Sequence, residues 1–163
     1  TDYVLRLAKE KSEAGFNALT TQQQMNSLVL AADTTVVCDG VILAKPESLA
    51  DSQRILGQLS GREHQVHTAI GLFGHDICIQ KVVTTQVKFR ELTETEVEQY
   101  WHTGEPQDKA GSYGIQGFAA IFVESITGSY SNVVGLPLCE TAALLNQFNI
   151  PLWQNIACAG AKT

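Results

Sequence analysis

The stretch from residue 64 to residue 90 constrains this chain most. Residues 64–72 and 77–90 read as two strands joined by Gly74-His75-Asp76, and the second carries β-branched Val82, Val83, Thr84, Thr85 and Val87. Branched side chains suit a pleated, half-buried surface, and two such runs around a short Gly-containing loop form a hairpin. The chain is thereby committed to a sheet, and the flanking segments must supply its other strands and its helical layers.

Those segments alternate in kind. Residues 2–14 form an amphipathic helix with Val4, Leu7, Ala8 and Ala14 at helical spacing, and Gly15 is its expected stop. Ser27–Ala32 is a short apolar run suited to a buried strand ending at Asp33-Thr34-Thr35, and Asp39-Gly40 is a turn signal. Residues 47–60 read as a helix capped by Gly61, and Thr93 with Glu96 forms a capping box that opens a helix running to Gly104. Residues 119–126 read as a strand, Thr127–Asn132 as a turn and 138–148 as a last helix. Helices and strands interspersed along the whole length, with hairpins and crossovers, predict one α/β domain over residues 1–163, built on a mixed β-sheet flanked by helices.

Charge and composition exclude several functions. The 163 residues carry 11 Lys+Arg against 17 Asp+Glu, a formal net charge of −6, which argues against binding a nucleic-acid polymer. No apolar run reaches the roughly 18 residues of a membrane span. Cys38, Cys78, Cys139 and Cys158 form no C-x-x-C pair, so free thiols in a reducing cytoplasm are expected. The chain opens at Thr1 and its only methionine is Met25, so a preceding segment is expected.

Certain residues carry chemistry. Lys11 lies on the apolar stripe of its helix, where it either snorkels at the edge or aims a compact ammonium into a cleft suited to phosphate. Asp33 follows a buried-looking strand, and a carboxylate there can bind a divalent metal, take a proton from water, or close an Asx turn. Thr34 adds a hydroxyl at the same point. Lys45 precedes Pro46, which limits where that lysine can point. His64 and His67 sit three apart on a strand, face opposite sides, and cannot chelate one ion.

The densest signal is Asp108-Lys109-Ala110-Gly111-Ser112-Tyr113-Gly114-Ile115-Gln116-Gly117. Its glycines let backbone approach a ligand closely, Lys109 adds positive charge, and Gln116 offers both a donor and an acceptor to a base edge. It follows neither the Walker order nor G-x-G-x-x-G. Together these residues suggest binding of a phosphorylated small molecule with a divalent metal, although Lys45 on its own reads as an ordinary exposed lysine.

That block, with Ala32-Asp33-Thr34, Lys45-Pro46, Leu59-Ser60-Gly61, His64-Gln65-Val66-x-Thr68-Ala69 before it and Val133-Val134-Gly135-Leu136-Pro137-Leu138-x-Glu140-Thr141 after it, resembles the Maf-type nucleoside triphosphate pyrophosphatases. The resemblance runs over nearly the full chain. It implies a Maf/ITPase-like architecture and hydrolysis of a nucleoside triphosphate to monophosphate and pyrophosphate with a divalent cation (Mg, Mn or Co). The Asp-Lys-Ala-Gly-x-Tyr-Gly-Ile-Gln-Gly form resembles the branch acting on dTTP and UTP, with modified pyrimidine nucleotides as further substrates. By the same resemblance Asp33 is the proton acceptor, its alternative role being to hold the metal that activates the water, and Lys11 and Lys45 contact phosphate. Thr34, Gln116, Lys109 and Gly117 bind substrate, with Gln116 pairing to O4 and N3–H of thymine or uracil. A homodimer is a further expectation. The family pattern opens with a strand and a Ser-x-Ser-Pro-Arg-Arg loop that has no counterpart in residues 1–163. On that comparison the alternative to an enzyme is a nucleotide-binding protein with impaired or no catalysis, which would hydrolyse dTTP poorly or not at all.

Overall fold

The hairpin read from residues 64–90 is the middle of the sheet. A computed structural model describes residues 1–153. In chain order these form α1 (Asp2–Asn17), α2 (Thr21–Gln24), β1 (Val29–Cys38), β2 (Val41–Leu43), α3 (Leu49–Leu59), β3 (Glu63–Gly74), β4 (Ile77–Phe89), α4 (Glu94–His102), β5 (Val123–Thr127), α5 (Tyr130–Val134) and α6 (Leu138–Gln147). Short 3₁₀ turns lie at Glu105–Asp108, Ala110–Ser112 and Phe118–Phe122. The strand order is β2-β1-β3-β4-β5. The expected α/β sheet flanked by helices is present, but in place of the expected mixed sheet every pairing among the described strands is antiparallel, because neighbouring strands are joined by hairpins or by connections that reverse direction.

The two sides of the sheet are covered by different helices. Ala69 of β3 packs with Val4 and Ala8 of α1. The neighbouring Ile70 and Leu72 pack with Leu144 of α6. Val66, Val87 and Phe89 join Ile55, Leu56 and Leu59 of α3 and Val97 and Tyr100 of α4 in the largest core. Strand alternation assigns these contacts, because successive side chains point to opposite faces. Asp39 and Gly40, both at positive φ (51° and 77°), turn β1 into β2, as twisted two-residue hairpins require.

Several local expectations change. The strand expected to end before Asp33 continues to Cys38, so Asp33 lies mid-strand opposite Ala69 rather than at a strand end. The β-branched run Thr34-Thr35-Val36-Val37 carries the strand on. Helix α1 runs past Gly15 to Asn17, and its buried stripe is Val4, Ala8, Ser12 and Phe16, while Ala14 is exposed. A Cβ at Gly15 would lie 2.9 Å from Val29 Cγ1, so close packing explains this glycine. The strand expected at 119–126 divides into a 3₁₀ turn and β5, and the turn expected at Thr127–Asn132 leads into α5, capped by Ser129. The capping box at Thr93 and Glu96 is formed. Cys38, Cys78 and Cys139 are free thiols, and Cys158 lies outside the described residues.

Strand β2 pairs with β1 only at Val36, Val37 and Cys38. The outer edge of β1 before Val36 therefore has no strand partner among the described residues, and both of its faces can be reached from that edge.

Helix α1 crosses β3 at Gly71. A Cβ there would sit 2.7 Å from the Ala8 carbonyl oxygen and 3.0 Å from Ser12 Oγ. Gly71→Ala is expected to destabilise the protein by about 1–3 kcal/mol, the range typical of overpacking. Urea unfolding followed by circular dichroism measures this, and an unchanged midpoint would mean that α1 tolerates lifting from the sheet.

Candidate active site

A cleft of about 500 Å³ opens over the unpaired edge of β1. Lys11, Asp33, Thr34, Lys45, Lys109, Gln116 and Gly117 all line it. Four separate segments are thus brought together: α1, β1, the connection after β2, and the glycine-rich loop.

Asp33 and Thr34 reach the cleft from opposite faces of β1. Asp33 points to the α1 side, where Lys11 Nζ donates to Asp33 Oδ1 at 2.6 Å. The Asp33 side chain is only 13% exposed, against 55% for Lys11, so the strand holds the carboxylate while the lysine keeps much of its freedom. Thr34 points to the other side, its Oγ1 2.8 Å from Thr68 Oγ1 of β3. Lys45 lies two residues beyond β2, and Lys109 Nζ bonds Asp108 Oδ1 at 2.6 Å. That ammonium holds the Asp108 carboxyl below its ordinary range.

The cleft is less cationic than the lysines alone predict. Glu105 and Asp108 line it together with Asp33, so three carboxylates stand among the three lysines. Glu105 belongs to the part of the site that residue-by-residue reading missed. Its Oε1 accepts from the Tyr100 hydroxyl at 2.8 Å, and its Oε2 accepts from Phe118 N–H at 2.8 Å. Tyr100 in turn accepts from Gly114 N–H at 3.1 Å. These bonds tie Gly114 and the C-terminal end of the glycine-rich loop to Tyr100 of α4, the latter through Glu105. A Cβ at Gly117 would collide with the Glu105 carboxylate, which explains that glycine.

The middle of the loop is held by two further contacts. Gly111 takes φ +71°, and a Cβ there would lie 2.8 Å from Val36, while the buried hydroxyls of Ser112 and Ser52 meet at 2.7 Å. His64 Nε2 bonds the Tyr113 hydroxyl at 2.8 Å inside an edge-to-face cluster with Phe89. Burial pushes the Tyr113 phenol up and lowers His64 to about 4, so the imidazole is neutral near pH 7. As expected, His64 and His67 do not converge: His67 Nδ1 bonds Thr84 Oγ1 at 2.8 Å.

The family described as Maf-like protein matches residues 1–148. A dTTP/UTP pyrophosphatase from Hahella chejuensis is 51% identical over 154 residues, covering 94% of this chain and 76% of that protein. One from Vibrio vulnificus is 54% identical over 147 residues, covering 90% and 77%. One from Colwellia psychrerythraea is 54% identical over 144 residues, covering 88% and 68%.

The neutral His64 makes stability depend on pH in a defined direction. Its folded value, about 4, lies below the ordinary 6.5. Between these values the unfolded chain binds a proton that the folded chain refuses, so stability present above pH 6.5 is lost as pH falls toward 4. The loss attributable to His64 is about 3 kcal/mol. His67, lowered chiefly by burial, acts in the same direction. Denaturation midpoints from pH 7.5 to pH 4.5 should fall steeply for the native protein and less steeply for His64→Gln. Parallel curves would refute the assignment.

Proposed function

The chain belongs to the Maf-like protein family, and from that membership and its cleft we propose that it is a nucleoside triphosphate pyrophosphatase. It hydrolyses dTTP and UTP to the monophosphate and pyrophosphate, with modified pyrimidine nucleotides as further substrates. The observation that supports this most is the pairing of Asp33 with Lys11 at 2.6 Å in a cleft that also holds Lys45, Lys109 and Gln116.

In this reading the triphosphate lies along the α1 side and the base along the glycine-rich loop. Water attacks the α-phosphorus, and the bond to the bridging oxygen of the leaving pyrophosphate breaks. Asp33 orients that water and takes its proton. Negative charge grows on the phosphoryl oxygens and the leaving group, where Lys11 and Lys45 stabilise it electrostatically. Lys109 and Gly117 bind substrate, the glycine through close backbone approach. Thr34 and Gln116 meet the base.

A divalent cation (Mg, Mn or Co) fits this donor set only when substrate completes it. Among the described residues no group of three His, Cys, Asp or Glu side chains could hold a metal. Asp33 is bonded to Lys11 through Oδ1, which leaves Oδ2 for a cation whose other ligands would be phosphate oxygens and water, as is common for Mg²⁺. Such a cation would polarise phosphoryl oxygens. A single domain, a cytoplasmic setting and a homodimer complete the proposal, supported by the continuous sheet and the family membership. No helix among the described residues is long and apolar enough to cross a membrane.

A pyrophosphate-release panel across dTTP, UTP, CTP and 7-methyl-GTP tests the function. Release from dTTP and UTP is expected, and Asp33→Asn and Lys45→Ala should lower it at least about a hundredfold while circular dichroism stays native. Binding of a non-hydrolysable UTP analogue without release from any substrate would favour a nucleotide-binding protein instead. Unchanged rates in the two variants would refute the residue roles.

A further inference from the structure

The hydroxyl of Thr34 has its proton direction fixed by groups outside the cleft. Thr68 is fully buried on β3 and donates its only hydroxyl proton to the backbone carbonyl of Asn132 at 2.8 Å, since a carbonyl can only accept. The 2.8 Å contact between Thr68 Oγ1 and Thr34 Oγ1 must then use the Thr34 proton. Thr34, its one proton spent, can meet a ligand only as an acceptor.

The rest of the network keeps this order from reversing. Asn132 is also fully buried, and its Nδ2 donates to Val66 O and to Thr85 Oγ1, both at 3.0 Å. Thr85 Oγ1 accepts from Ser129 N–H at 3.0 Å and donates to the Ser129 carbonyl at 3.2 Å. The turn that carries the Asn132 carbonyl is thus anchored to two strands. Gly135 lies over Thr34 Oγ1, where a Cβ would be 3.5 Å away, so its bare backbone leaves the hydroxyl uncovered.

Gln116 has no such restraint. It is exposed, and among the described residues no hydrogen bond holds its amide. An amide that can turn end for end offers donor or acceptor at will, and so pairs with uracil in one orientation and cytosine in the other. Discrimination between them needs a group of fixed polarity.

We propose that Thr68 is a specificity-determining positioning residue: by taking the Thr34 proton it makes Thr34 a fixed acceptor that selects pyrimidines carrying N3–H. Uracil and thymine supply that N–H and leave O4 for the Gln116 amide, in place of the two-point pairing to Gln116 that the family resemblance implies. Cytosine presents a lone pair at N3, which would face the lone pairs of Thr34. The proposal rests on the pyrimidine triphosphatase reading above, and loss of a matched buried hydrogen bond is the quantity that discriminates.

The test compares kcat/KM for UTP and CTP in the native protein, Thr68→Val and Thr68→Ser. Without its acceptor the Thr34 hydroxyl turns and can donate to N3 of cytosine. The UTP:CTP ratio is expected to fall at least about tenfold in Thr68→Val and to recover in Thr68→Ser. A rate loss in Thr68→Val that is equal for both nucleotides would mean a merely structural role and would overturn the proposal. Native protein is also assayed with N3-methyl-UTP, a comparison independent of variant folding. At least a tenfold loss relative to UTP supports the reading of N3–H, and equal turnover overturns it. If native protein turns over no pyrimidine triphosphate, the underlying function fails and this inference with it.

Discussion

The close approach of helix α1 to the sheet is the constraint on which the cleft depends. Small groups line this contact: Ala8 on the helix, Ala69 and Gly71 on β3, and Gly15 beside Val29. A helix carrying large side chains here would stand farther out, because helix separation follows side-chain size at the contact. The ammonium of Lys11 could then not reach a carboxylate anchored mid-strand on β1. The ion pair is partly exposed, and its own contribution to stability is correspondingly small. Its importance is positional, since packing holds two chemically opposed groups at one point although 22 residues separate them in sequence.

The glycine-rich loop achieves order by a different route. Its glycines permit tight turns but supply no restoring force. That comes from polar side chains on other elements: half-buried Glu105 and buried Tyr100 toward the C-terminal part, and buried Ser52 and His64 in the middle. Tyr100, Ser52 and His64 are hydrogen-bonded in the interior, where a broken bond leaves a desolvated polar atom behind. A loop that would cost much conformational entropy to order on binding a ligand is largely ordered beforehand.

Legibility in the sequence followed interaction range. The hairpin from Glu63 to Phe89, the capping box at Thr93 and the turn at Asp39-Gly40 are written in neighbouring residues, and their boundaries were nearly right. The end of α1 is not legible locally because Gly15 answers to Val29 across space, nor is its stripe, because a buried serine, Ser12, occupies a core position. The apolar run Ser27–Ala32 by itself implies a strand that stops at Asp33, whereas the β-branched residues after it continue the strand to Cys38. All the expected site residues line one cleft; the glycine-rich loop stands out in the sequence by itself, whereas Lys11 and Lys45 stand out only through the family resemblance. The supports, Glu105, His64, Thr68 and Asn132, were missed as such. Their significance lies in partners that only the folded chain brings within reach.

Asp33 and Thr34 are adjacent in sequence yet stand on opposite faces of the same strand edge. On the proposed roles, one serves bond cleavage and the other base choice. The alternation of the strand therefore works as a partition: substitutions behind Thr34 can retune which base is accepted while the α1 side is untouched. The same adjacency forbids slippage, because a shift of one residue in β1 would exchange the two duties at once. A single peptide unit thus makes the two functions independent under substitution and inseparable under insertion or deletion.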